Sequence, residues 1–161
     1  MGIGDQEFRE AMRCWATGVT VVTARRGDIQ HGMTVSSFTS VSTAPAQVLV
    51  CLERGTRTRS LALEAGAFGV TVLGAAQQEI SDRFAGRIHD TLDRFAGLDL
   101  FTIETGAPFL GGALAWLDCR LAGVHEAATH SILFGDVLDV RVNLQASGPL
   151  LYYNRAYQFL A

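Results

Sequence analysis

Residues 31–42, HGMTVSSFTSVS, carry six hydroxyl side chains in twelve positions: Thr34, Ser36, Ser37, Thr39, Ser40 and Ser42. A hydroxyl both donates and accepts, so such a row suits a ligand with phosphates, sugar hydroxyls or a polar ring edge. Read as one extended strand, Thr34, Ser36, Ser40 and Ser42 share a face, interrupted by Phe38. The same composition equally suits a solvated surface strand, where Ser and Thr are common. HEAATH (125–130) sets its histidines five apart rather than four, roughly 140° around a helix, which argues against a shared metal. No GxGxxG, GxxxxGK[ST] or GxSxG segment occurs. Neither a Rossmann nucleotide site, a P-loop nor a hydrolase elbow is therefore expected, and any cofactor must be held another way.

Strands dominate the elements that would position these groups. Phe8, Met12 and Trp15 recur at helical spacing behind Asp5, a candidate N-cap, with Gly18 as the stop. GVTVVTA (18–24) reads as a strand that turns through RRGD (25–28) into a second one. QVLVCLE (47–53) reads as a strand buried on both faces, TRSLALEAG (58–66) as a short helix closed by Gly66, and AFGVTVL (67–73) as the next strand. Ile80 and Phe84 mark a further helix ending at Gly86. Strands are expected at 100–104, 112–127, 130–142 and 149–153, which argues for an antiparallel barrel rather than a doubly wound sheet. DRFAG occurs at 82–86 and again at 93–97, too short an echo to define a repeat architecture.

Composition narrows the partners. The chain of 161 residues fits one domain. It is 48% hydrophobic and only 18% charged, below the roughly 25% charge of ordinary domains, so a subunit interface, most simply a homodimer, is expected. A net charge of -3 with scattered arginines makes nucleic acid an unsuitable partner. Cys14, Cys51 and Cys119 are odd in number and form no CxxC pair, which suits free thiols in a reducing compartment. No signal peptide or membrane span is recognisable, and a cytoplasmic location is expected.

GMTVSSFTSVS, followed by Pro45 and VLVCLE, resembles the flavin-binding segment of the flavin reductase-like family, the small reductase partners of two-component monooxygenases. FREAMRCWATGVTVVTA at the start, FGVTVLGAAQQEISDRFAG (68–86), HSILFGDVLDV (130–140) and PLLYYNRAY (149–157) match in the same order. The resemblance covers nearly the whole chain. It implies a mainly β fold with short helices, an FMN-binding split β-barrel forming a single domain over 1–161. It also implies an oxidoreductase that reduces FMN or FAD with NADH, less readily NADPH, and supplies a flavin-dependent monooxygenase. The alternatives are a flavoprotein of the same fold holding flavin as a fixed group or carrier, and a non-enzymatic binding module.

Carried over by position, the resemblance implies that Thr34, Val35, Ser36 and Ser37 line the flavin ring and ribityl chain, with Ser40 nearby. Cys51, Leu52 and Glu53 would flank the flavin. Arg54, Arg57 and Thr58 would meet its phosphate at a helix N-terminus, although a solvated loop also explains the arginines. Arg83, Phe84 and Ala85 match the family's flavin-touching FA motif, whereas Phe95 in the second echo reads as packing. His130 matches the family histidine near the nicotinamide, and Tyr152 and Tyr157 match aromatic positions at its C-terminal end. A strand-end histidine and simple packing are the plainer explanations for these three. No protein group is expected to act as acid or base, because hydride transfer from nicotinamide to flavin is carried by the cofactors. The family position held here by Ser36 is often Asn, and that held by Cys51 is often Ser.

Overall fold

Segments rich in Val, Thr and aromatic residues, separated by glycine and turn residues, favour strands over helices through most of this chain. The computed structural model describes residues 2–88, 93–146 and 148–160. Helix α1 (Asp5–Arg13) leads to β1 (Thr17–Gly18), β2 (Thr20–Arg26), β3 (Ile29–Val35), β4 (Phe38–Thr43) and β5 (Ala46–Glu53). Next come α2 (Arg57–Ala65), β6 (Ala67–Val72), a 3-10 turn (Ala75–Gln77) and α3 (Gln78–Phe84). The remaining strands are β7 (Leu100–Phe101), β8 (Phe109–Leu110), β9 (Ala115–Ala127), β10 (His130–Val142), β11 (Leu151–Tyr153) and β12 (Ala156–Gln158).

Seven strands form one antiparallel sheet in the order β3-β2-β6-β9-β10-β5-β4. Strands β3 and β4 stand at its opposite ends, yet only Ser36 and Ser37 join them. Laid flat, seven strands at about 4.8 Å spacing would separate those ends by roughly 29 Å. Three Cα steps of about 3.8 Å reach roughly 11 Å. The sheet must therefore roll up until its ends approach. They meet without a ladder between β3 and β4, which leaves the barrel split. Short sheets β1-β11-β12 and β7-β8 lie outside the main one.

Inside the roll, Val22, Val50, Leu52, Phe68, Val70 and Leu133 are fully buried. Gly135 admits this packing: a Cβ there would lie 2.6 Å from Phe68 Cζ. Helix α2 joins the core through Leu61 and Ala62 and ends on Gly66, whose φ of 66° is left-handed, as its sequence led us to expect. A second cluster gathers Val21, Leu73, Phe84, Phe95 and Leu150 under Tyr152 and Tyr157.

Several expectations are corrected. Gly4, not Asp5, is the N-cap of α1, because the Glu7 carboxylate accepts the Gly4 N–H at 3.1 Å; the helix stops at Arg13. Strand β5 is not buried on both faces: Val48, Val50 and Leu52 face the core, while Gln47, Leu49 and Cys51 remain partly exposed. HEAATH lies on a hairpin, with β9 ending at Ala127 and β10 beginning at His130, so helical angles do not describe its histidines. The strand expected at 100–104 is only Leu100–Phe101.

Candidate functional site

The hydroxyl-rich stretch is two strands and a seam. Val35 ends β3, Ser36 and Ser37 bend away, and Phe38 starts β4. A register shift between Ser40 and Ser42 breaks the alternation a second time, so the expected single hydroxyl face does not exist. Ser37 closes the barrel instead. Its carbonyl accepts the Cys51 N–H at 3.1 Å, and its hydroxyl donates to the Cys51 carbonyl at 2.7 Å. Thr34 donates to the Ser81 carbonyl at 2.6 Å and ties β3 to α3. Ser36 is exposed, and among the described residues its hydroxyl has no intramolecular partner. It is the hydroxyl left free for a ligand.

Three cavities meet around this seam. One of about 590 Å³ is lined by Trp15, Thr17, Ser36, Ser37, Thr39 and Cys51 among others. A smaller one, about 160 Å³, shares Ser36 with it and adds Val19, Val35, Ser81, Arg87, Tyr152 and Tyr157. Thr34 and Ala85 belong both to that cavity and to a third of about 340 Å³, whose walls include His31, Thr56, Arg57, Thr58, Phe84 and Arg94. Shared walls make the three one groove, from the aromatic and hydroxyl end at Trp15 to the cationic end at Arg57 and Arg94.

The charge at that end is uncompensated. Among the described residues, neither Arg57 nor Arg94 has a carboxylate partner. Arg94 Nη1 donates to the Gly32 and Phe84 carbonyls at 2.9 and 3.0 Å. Beside them His31 Nδ1 lies 2.8 Å from the hydroxyl of fully buried Thr58. Burial, aided by the positive Arg94 and Arg57, lowers the His31 pKa to about 4, so its imidazole is neutral near pH 7. At the other end Tyr157 donates its hydroxyl to Ser81 or Asp82, each at 2.8 Å, and the Arg87 guanidinium lies 5.7 to 5.8 Å from the Tyr157 and Tyr152 ring centres. Two buried polar ties thus fix the aromatic wall.

Residues 12–161 match the Flavin reductase like domain family. The chain belongs to that family. The FMN reductase (NADH) RutF 2 of Methylorubrum extorquens is 37% identical over 153 residues, covering 95% of this chain and 88% of the relative. A flavin-dependent monooxygenase reductase subunit, HsaB of Mycobacterium tuberculosis, is 34% identical over 96% of this chain and 82% of its own length. Among solved structures, the NADH:FAD oxidoreductase of Streptomyces globisporus C-1027 superposes with a TM-score of 0.90 at 31% identity, over 100% of this chain and 96% of that one. The rolled, unclosed sheet is the split barrel expected of a flavin reductase-like chain.

Most family-implied positions line the groove of this flavin reductase-like domain: Thr34, Val35, Ser36, Ser37, Cys51, Arg57, Thr58, Phe84, Ala85, Tyr152 and Tyr157. Six others do not. Leu52 is fully buried because β5 turns that side chain into the core. Ser40 is exposed on β4, past the seam. Glu53 and His130 are exposed and opposite each other at the end of the β5-β10 ladder, with His130 Nδ1 2.9 Å from Thr129 Oγ1. Arg54 is held by Glu126 at 2.9 Å. Arg83 points away, donating to the Ala96 carbonyl at 3.0 Å and pairing with Glu79.

Four groove residues escaped the sequence reading: Trp15, His31, Arg87 and Arg94. Trp15 read as part of a helix face, and His31 opens the quoted stretch without any spacing to mark it. Arg94 did leave a signal, the second DRFAG, which was set aside because no strand and helix precede it.

Proposed function

We propose that this protein is an NAD(P)H:flavin oxidoreductase that reduces FMN or FAD with NADH and passes reduced flavin to a partner flavin-dependent monooxygenase. The observation that carries the reading is the continuous groove, polar and hydroxyl-bearing at the Ser36–Ser37 seam and cationic at Arg57 and Arg94. Its two ends match the two ends of a flavin nucleotide, a hydrogen-bonding ring system and a phosphate. Relatives named as NADH-dependent FMN reductases and as a monooxygenase reductase subunit support the assignment.

In this reading Arg57, Arg94 and Thr58 hold the phosphate, with the N-terminal turn of α2 adding its partial positive charge. Ser36 and the main chain of the seam hold polar atoms of the ring and ribityl chain, while Val19, Val35 and Ala85 exclude water. Tyr152, Tyr157 and Arg87 form the wall on which the nicotinamide is received. His130 is assigned to the nicotinamide side on the family resemblance alone. When bound together, the nicotinamide and the flavin supply the chemistry, a hydride passing from the first to the second. The chain's own work is alignment, since reactions between well-oriented partners gain several kcal/mol from avoided loss of freedom. Nothing in the groove must act as acid or base.

The protein is further proposed to work as a homodimer, one domain over 1–161, in the cytoplasm, where its three free cysteines would stay reduced. A steady-state assay at 340 nm tests the activity. NADH is expected to disappear only when FMN or FAD is added, at a rate that saturates with flavin. No flavin-dependent oxidation of NADH or NADPH with either flavin would overturn the proposal.

A further inference from the structure

His31, Arg57 and Arg94 wall two cavities at once: the cationic end of the groove and a separate space of about 580 Å³ that also borders Asp28, Ile29 and Asp93. Cavities that take drug-sized ligands span about 300–1,000 Å³, so this one suits a further part of a ligand. The three shared residues form a cationic and polar bridge. Arg57 makes no side-chain hydrogen bond or ion pair among the described residues, and Arg94 is anchored through one of its terminal nitrogens, leaving other donors of a five-donor group. Two uncompensated guanidinium groups exceed what one phosphate at Thr58 requires. They suit a diphosphate crossing from one cavity to the other.

The far cavity matches a nucleoside. Asp28 and Asp93 supply carboxylate acceptors for ribose hydroxyls or an exocyclic amine, and Ile29 and Phe95 supply apolar surface for the face of a base.

We infer that the groove is built for FAD rather than FMN, with the adenosine end in the far cavity and the diphosphate spanning His31, Arg57 and Arg94. The inference rests on the flavin reading above and adds which flavin. Equilibrium titration of the protein with FAD and with FMN, followed by flavin fluorescence without nicotinamide, tests it. FAD is expected to bind at least ten-fold more tightly than FMN. Ile29 is 52% exposed at the start of β3, so Ile29→Trp can fill the far cavity without touching the core; it is expected to raise the FAD Kd to that of FMN and leave the FMN Kd unchanged. Gln30→Trp blocks the same space from the next residue and guards against misfolding of the first variant. FMN binding as tightly as FAD to the parent protein would overturn the inference. So would variants that raise the KM for NADH while the FAD Kd stays fixed. If neither flavin binds, the flavin reading itself falls, and this inference falls with it.

Discussion

At His31 an imidazole sits between two guanidinium groups and a buried threonine, and its ionisation is coupled to the fold. The unfolded chain would protonate this histidine near pH 6.5, whereas the folded chain does so only near pH 4. Between those values the unfolded state binds more protons, so stability falls as pH drops from about 6.5 to 4 and is unaffected by this group above that window. His31 is only half buried, so solvent screening reduces the effect to on the order of 1 kcal/mol. Thermal melts of the parent and His31→Gln are expected to show the parent losing about 2–4 °C more than the variant between pH 6.5 and pH 4. Parallel pH profiles would show that the ring is not held neutral. Residues such as His31 and Arg94 were illegible in sequence because their meaning comes from chain segments more than 25 positions away. Ser36 and Ser37 were legible as a pair, since hydroxyls between two apolar runs need a reason, but not in role: one closes the barrel and the other is free.

The elements explain the repeated DRFAG. The two copies clasp each other, Arg83 donating to the Ala96 carbonyl and Arg94 to the Phe84 carbonyl, while Phe84 and Phe95 meet edge to face at 5.0 Å. Gly32 lets this clasp lie on β3, because a Cβ there would come within 2.8 Å of the Phe84 ring. Phe95 is 4% exposed, so Phe95→Ala should cost about 3–5 kcal/mol in urea unfolding. Phe159→Ala, at an exposed position, should stay within about 0.5 kcal/mol. Equal small losses would mean that the clasp carries no stability. Strand composition and the helix C-cap at Gly66 were readable because they depend on local preference. The break at Ser36–Ser37 was not, because it is imposed by the topology: β3 and β4 must reach opposite ends of one sheet. The alternation of β5 was hidden by a run of apolar residues on both faces, of which only one meets the core.

At the scale of the whole molecule, one apolar surface lacks a cover. Helix α1 buries none of its residues, and Phe8, Met12 and Trp15 expose 53%, 48% and 67% of their surface. Nine residues are too few for a helix to persist in water on propensity alone, so α1 needs a partner for its apolar face. Among the described residues nothing within the chain supplies one, and the low charge content points to a second copy. Trp15 also lines the largest cavity of the groove, beside Ser36 and Cys51, so the surface that would bind the second subunit adjoins the flavin site. Assembly and ligand affinity should therefore change together. Sedimentation velocity is expected to find a dimer at micromolar concentration, and Phe8→Asp with Met12→Asp to give a monomer whose flavin Kd rises several-fold. A parent protein that sediments as a monomer would remove the dimer. A monomeric double variant with unchanged flavin affinity would keep the dimer but separate it from the groove.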